Sequence, residues 1–80
     1  MNVDHLVTMA NEIGAFFTAE AGGEGAPREI AQHMTKFWEQ RMRAQIIAHV
    51  RDADGAGLSP AARAAVLLLK PVAAPATGPA

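Results

Sequence analysis

Residues 37–43 read FWEQRMR, and we interpret the rest of the sequence outward from this stretch. Phe37 precedes the only tryptophan of the sequence, Trp38, and two arginines follow closely. Aromatic and arginine side chains are enriched at the energetic centres of protein interfaces. We therefore expect four residues of this stretch to contact a partner or to act as scaffold: Phe37, Trp38, Arg41 and Arg43. A place in the core is the alternative for Trp38, because a large aromatic side chain also stabilises a small core.

The length of the chain limits it to one small domain. At 80 residues, burial of apolar surface offsets the loss of chain entropy only narrowly. Half of the residues are hydrophobic, but many of these are alanine, which favours helix and buries little surface. We expect a domain that gains stability from a partner.

The composition also excludes several kinds of site. Without cysteine the chain has no disulfide, no thiolate ligand for zinc or an iron–sulfur cluster, and no cysteine nucleophile. The longest apolar run, Ala64 to Leu69, is too short to span a bilayer, and the first residues show no basic segment followed by an apolar core, so we expect no secretion signal. We expect a cytoplasmic protein that does not associate with membranes.

The first half of the sequence predicts two amphipathic helices. Apolar residues recur three and four positions apart over residues 3–21, and again over residues 30–38. Gly22 and the glycines after it are expected to end the first helix, and Pro27 to open the second. A phosphate-binding loop is not expected there, because no strand precedes it and no Lys-Ser/Thr follows.

Gly14 lies inside the first predicted helix, where glycine costs about 1 kcal/mol relative to alanine. With Ala10 and Thr18 it forms a row of small residues at four-residue intervals. Such a row would allow another helix to approach closely. A tolerated glycine without a role is the alternative.

A third helix is predicted by Met42, Ile46 and Val50, whose direction differs from that of the preceding apolar set by about 130° at 100° per residue. We expect the chain to break near Glu39 to Arg41. A continuous helix that contacts different surfaces on either side of that point is the alternative.

The remaining elements follow from turn and capping signals. Gly55 and its neighbours are expected to end the third helix, and Ser59 and Pro60 to begin a short fourth helix that runs to about Lys70. The fold class is thus all-α, a small bundle of three to four short helices in a domain of residues 1–70. Residues 71–80, PVAAPATGPA, are expected to be a flexible, disordered tail.

The last predicted helix carries apolar residues in all directions, from Val66 to Leu69. A domain of this size can hardly cover all of them, so this helix is a candidate partner surface, with Leu67 and Leu68 as contact residues. Burial of the whole helix in its own core is the alternative.

No catalytic, cofactor-binding or metal-binding residues are predicted. The three histidines, His5, His33 and His49, lie on different predicted helices and have no neighbouring ligand at metal-site spacing. The only serine, Ser59, is explained by helix capping. We therefore expect no catalysis by this chain alone.

Nucleic-acid binding remains an alternative. Arg28, Lys36 and Arg51 are among the basic residues that could contact phosphates. Against it, the net charge is −1, and the predicted last helix offers only Arg63 and Lys70 for contacts with bases. We expect no nucleic-acid partner.

Three segments, in this order, resemble the delta subunit of NAD-dependent formate dehydrogenase: HLVTMANEIGAFF (5–17), IAQHMTKFWEQRMRAQIIAHV (30–50) and GLSPAARAAV (57–66). The similarity runs over about residues 5–70. In that family Asp-Pro often follows the tryptophan and starts a new helix, whereas Glu39 and Gln40 stand there in this chain.

The resemblance implies a non-catalytic accessory subunit of a cytoplasmic enzyme complex that converts formate and NAD⁺ to CO₂ and NADH. It would bind and stabilise the catalytic alpha subunit, and through it join the beta and gamma subunits. Molybdopterin guanine dinucleotide with Mo or W, iron–sulfur clusters, FMN and NAD would all be held by other subunits. A transient assembly chaperone for insertion of the molybdenum cofactor is the alternative.

Overall fold

The computed structural model describes residues 2–70, which form three helices: α1 (Val3–Phe37), α2 (Gln40–Ala53) and α3 (Pro60–Leu68). The described residues contain no strand, and the all-α class is confirmed. None of the described helices has an apolar stretch long enough to cross a membrane. The flexible tail predicted for residues 71–80 lies outside the described residues.

Gly22 divides α1 into an N-terminal arm (residues 3–21) and a C-terminal arm (residues 23–37). Its backbone, with φ 79° and ψ 167°, is in a region that glycine adopts readily and other residues avoid. The rings of Phe17 and His33 lie 5.9 Å apart, whereas a straight helix would separate them by about 24 Å. The two arms therefore fold back on each other as a helical hairpin.

The turn between the arms is shorter than the sequence predicts. A single non-helical residue, Gly22, reverses the chain, and the C-terminal arm begins before Pro27 rather than at it. One residue with positive φ is enough because a Cβ atom, which would oppose that conformation, is missing. Pro27 lies inside the arm, where its missing N–H removes one helical hydrogen bond near the start.

The predicted break after the tryptophan is confirmed, one residue earlier than expected. Trp38 (φ −86°, ψ 139°) and Glu39 (φ −66°, ψ 156°) are both extended. Trp38 still donates its N–H to the carbonyl of Met34 at 2.9 Å, which closes the last turn of α1. The change of direction lets Ile46 of α2 reach the core that Met34 also occupies.

The predicted end of α2 and the predicted start of α3 are both confirmed in the loop that joins these helices. Asp54 ends α2 in the left-handed conformation (φ 57°), and Gly55 and Gly57 also have positive φ. The Ser59 hydroxyl accepts a hydrogen bond from the N–H of Ala62 at 3.2 Å, as an N-cap residue does. The helix that follows ends at residue 68 rather than 70, in keeping with the extended backbone favoured before Pro71.

The core lies between the two arms of α1, with α3 packed closely on the N-terminal arm. Ala10, Gly14 and Ala62 are buried. A Cβ atom on Gly14 would lie 3.7 Å from the Cβ of Ala62, so small side chains permit this close approach. The small-residue row is thus confirmed for Ala10 and Gly14, while Thr18 is exposed. The largest fully buried side chains are Leu6, Ile30, Met34 and Ile46.

Asn11 fastens the loop before α3 to the N-terminal arm. Its Nδ2 donates to the carbonyl of Gly57 at 2.9 Å, and its Oδ1 accepts from the N–H of Ser59 at 2.8 Å. One side chain therefore pairs two backbone groups of the loop, and this fixes where α3 begins.

Candidate partner-binding site

Four large apolar side chains stay exposed in the described part of the chain. Their exposed fractions are 59% for Phe16, 67% for Phe37, 61% for Leu67 and 58% for Leu68. Scattered exposed apolar residues are normal, but neighbouring ones on different elements indicate a binding surface. The question is therefore which of the four lie together.

Four aromatic rings follow one another across the two arms of α1, and we call them the aromatic ladder: Phe16, Phe17, His33 and Phe37. Ring centroids are 5.0 Å apart for Phe16 and Phe17, 5.9 Å for Phe17 and His33, and 4.8 Å for His33 and Phe37. These separations lie within the range of favourable aromatic contacts. The ladder gives the hairpin an aromatic flank.

An open depression of about 960 Å³, which we call the groove, runs along this flank. Phe17, His33 and Phe37 of the ladder contribute to its lining, and Leu68 and Leu69 close it from the end of α3. The groove thus combines residues from both arms of α1 and from α3. Its existence depends on the hairpin turn at Gly22.

The groove is basic although the chain carries a net charge of −1. Among the described residues, four basic side chains line it, Arg28, Lys36, Arg43 and Lys70, against one carboxylate, Glu29. Cations gathered in a concave surface raise the local positive potential, because protein walls screen charge less than water does. The groove should therefore attract negative charge.

The ion pairs of the described residues lie elsewhere. Arg51 pairs with Asp52 at 2.9 Å, and Arg63 pairs with Asp54. The hydrogen bond between Arg51 and Asp52 lowers the pKa of the Asp52 carboxyl and raises the pKa of Arg51. Within the described part of the chain, Arg28, Lys36 and Lys70 have no ion-pair partner.

The residues that the sequence predicted as partner contacts or scaffold have different positions in the structure. Phe37, Arg43 and Leu68 line the groove. Trp38 is only 5% exposed and belongs to the core, as its alternative interpretation held. Arg41 and Leu67 are exposed but outside the groove.

Arg43 has a structural role that the sequence did not indicate. Its Nη1 donates to the carbonyl of Trp38 at 2.5 Å and to that of Thr35 at 3.3 Å. Carbonyls at a helix C-terminus lack helical partners, and a cation there also opposes the negative end of the helix dipole. Arg43 therefore holds α2 against the end of α1 while its side chain borders the groove.

Several groove residues were not assigned to a partner-binding surface from the sequence, among them Phe17, Arg28, His33, Lys36 and Lys70. One signal was available, since His33 and Phe37 are four residues apart and must share a helix face. That face is otherwise polar, so an aromatic pair on it points to a contact with something else. The positions of Phe17 and Lys70 depend on the hairpin and on α3, which no local pattern reveals.

No candidate metal site is found among residues 2–70. They contain no cluster of three His, Cys, Asp or Glu side chains, and none of their buried residues is polar or charged. His49 contacts the carbonyl of Ala56 at 2.8 Å, and Ser59 caps α3. These side chains therefore serve the fold.

A comparison with protein families identifies the chain. The family described as NADH-dependent formate dehydrogenase delta subunit FdsD matches residues 5–66. Neither the curated proteins nor the solved structures contain a match. The matched range takes in both arms of α1, all of α2 and most of α3, and it includes the three segments on which the resemblance rests. The chain therefore belongs to the delta-subunit family of NADH-dependent formate dehydrogenases.

Proposed function

We propose that this chain is a non-catalytic accessory subunit of a cytoplasmic NAD-dependent formate dehydrogenase. It binds and stabilises the catalytic alpha subunit, and through that subunit it joins the beta and gamma subunits. Membership of the delta-subunit family supports a place in the complex. The observation that supports the binding role is that Phe37 and Leu68 are both largely exposed and line the same groove.

Exposed apolar side chains at a groove favour association. Burial of a phenylalanine or leucine side chain contributes about 1.5–3 kcal/mol relative to leaving it in water. The folded domain is small, and several of its buried side chains are alanines, Ala10, Ala26 and Ala62 among them, which add little to its stability. Covering Phe37 and Leu68 with a partner would therefore stabilise both proteins.

The redox chemistry is assigned to the larger subunits. Iron–sulfur clusters are held by cysteine thiolates, and this chain has no cysteine. The residues present therefore do not fit a cluster, and we propose that other subunits hold the clusters, the pterin cofactor with Mo or W, FMN and NAD. The contribution of this chain to formate oxidation is then structural.

Affinity purification through this chain tests the proposal. The tagged full-length chain is co-expressed with the other subunits, and the proteins retained with it are identified and quantified. We expect the alpha subunit in a constant ratio to the tagged chain, in preparations that oxidise formate. We also expect the alpha subunit to denature at a lower temperature when this chain is omitted.

Three other outcomes would contradict the proposal. Retention of the alpha subunit only in its cofactor-free form would instead show a transient assembly chaperone. Failure to retain any formate dehydrogenase subunit would exclude both roles. Formate oxidation by the purified chain alone would contradict its non-catalytic nature.

A further inference from the structure

The shape of the groove suits a polypeptide segment better than a small molecule. Small-molecule sites enclose most of their ligand, whereas this depression of about 960 Å³ is only partly enclosed. Phe37 from α1 and Leu68 from α3 offer apolar contacts on two different elements. Grooves of this kind accept an extended or helical segment whose apolar side chains fill them.

The charges around the groove indicate which charge its occupant should carry. The sequence has seven basic and eight acidic residues, and four of the basic ones but only one acidic residue line the groove. The rest of the sequence therefore holds three basic and seven acidic residues. This separation makes the groove complementary to a negatively charged surface.

The basic side chains are available for new pairs. Arg28, Lys36 and Lys70 have no ion-pair partner among residues 2–70, whereas Arg51 and Arg63 are paired. A carboxylate that approaches them would form charge-assisted hydrogen bonds, which are stronger than bonds between neutral groups. In a partly desolvated groove such bonds also select against basic partners.

We propose that the groove binds an acidic segment of the partner subunit. Apolar side chains of this segment contact Phe37 and Leu68, and its Asp or Glu side chains pair with Lys36 and the neighbouring cations. The inference rests on the proposed function, because it names the surface and the chemistry through which the accessory subunit binds.

Binding measurements on single variants test the surface. The purified full-length chain is titrated against the enzyme complex that lacks it, at low and at high salt. We expect Phe37→Ala to weaken binding by about tenfold or more, as interface hot spots do. Lys36→Glu should weaken binding at low salt and reduce its salt dependence, because screened charge attraction is removed.

Two variants serve as matched controls. Phe16→Ala removes another largely exposed aromatic side chain, which does not line the groove, and Arg41→Glu reverses an exposed charge outside it. Both should bind like the unchanged chain. All four variants should keep its helical circular dichroism and its melting temperature, so that weaker binding reflects a lost contact.

Photo-cross-linking in the assembled complex tests the chemistry of the occupant. We expect Phe37→p-benzoylphenylalanine to cross-link to a segment of the partner subunit in which acidic residues outnumber basic ones. The same replacement at Phe16 should not label that segment. Cross-linking to a second copy of this chain, to nucleic acid or to a segment without acidic residues would overturn the proposal.

The outcomes separate this inference from the proposed function. If the unchanged chain binds the complex but Phe37→Ala and Lys36→Glu bind equally well, the groove is not the site, and the accessory role stands. Equal losses of affinity for Lys36→Glu and Arg41→Glu would also exclude the groove as the binding site. Such losses would show that binding depends on the net charge of the chain and not on the groove. If the unchanged chain does not bind at all, both proposals fail.

Discussion

The two ends of α3 meet α1 in different ways. At its N-terminal end, Ala62 lies against Gly14, and Asn11 pairs the backbone groups of the preceding loop. At its C-terminal end, Leu68 stays 58% exposed and lines the groove together with Phe37, which is 67% exposed. The first contact is complete within the chain, whereas the second leaves apolar side chains exposed and, among residues 2–70, lies near cations without an ion-pair partner.

The difference follows from side-chain size and position. Small residues allow two helices to approach until backbone and side chains fill the space between them, which leaves nothing exposed to a partner. Large residues at the margin of a thin bundle cannot all turn inward, because the core is already filled by others. The proposed division is therefore that one end of α3 stabilises the fold of this 80-residue chain and the other end binds a partner.

The largest expected effect concerns two adjacent aromatic residues. Trp38→Ala should lower the free energy of unfolding by about 3–5 kcal/mol, because Trp38 is buried in the core. Phe37→Ala should change it by no more than about 0.5 kcal/mol, since that side chain is mostly in water. Urea denaturation followed by circular dichroism measures both, and similar losses would show that Phe37 also supports the fold.

Gly14 gives the next largest effect. Gly14→Leu should destabilise the domain by about 1–3 kcal/mol, because its side chain has no room between the helices. Gly14→Ala is the control and should stabilise by up to about 1 kcal/mol, since alanine favours helix. Its Cβ would meet Ser59 Oγ at 3.4 Å and Ala62 Cβ at 3.7 Å, which are ordinary contacts. Thermal melting of both variants tests whether the melting temperature falls for Gly14→Leu and rises for Gly14→Ala.

Asn11 should have a smaller effect. Asn11→Ala removes its hydrogen bonds to Gly57 and Ser59, and should cost about 1–2 kcal/mol at about 0.5–1.5 kcal/mol for each bond. Asn11→Asp keeps the acceptor for the Ser59 N–H and loses only the donor to the Gly57 carbonyl, so it should cost less. Denaturant titrations of the two variants compare these values, and equal costs would contradict a contribution from the bond to Ser59.

The smallest effect is expected at the exposed pair of Arg51 and Asp52. The pair lowers the pKa of Asp52, so any stability it gives is present at neutral pH and is lost as the pH falls through that lowered pKa. Because both side chains are in water, Asp52→Asn should leave the denaturation midpoint at pH 7 unchanged within error. A clear drop at pH 7 that disappears in acid would show that this pair matters.

Local signals allowed several helix ends to be predicted from the sequence, although the start predicted at Pro27 and the end predicted near Lys70 were wrong. Gly22 reverses the chain, and Ser59 with Pro60 begins α3, because capping and positive φ depend on the residue itself. The phase change predicted the break that the structure places at Trp38 and Glu39. Each of these features needs only neighbours along the chain.

The groove could not be predicted in the same way. Phe37 and Trp38 are adjacent and both aromatic, yet one is 67% and the other 5% exposed. Neighbouring helical residues point about 100° apart, and which of them faces the core depends on where α2 and α3 pack. Leu68 and Phe17 come together only in the tertiary structure. The charge and shape of the groove therefore cannot be predicted without knowing that structure.

The turn at Gly22 has a stereochemical consequence. Away from the adjacent residues and the neighbouring helix backbone, nothing would lie within 4 Å of an L-residue's Cβ at this position, so the positive φ is what disfavours an ordinary L-residue. A D-alanine has the opposite preference and should accept φ 79° without strain. It would also restrict the unfolded chain, so a synthetic protein with D-alanine at position 22 should keep the hairpin and melt at a higher temperature.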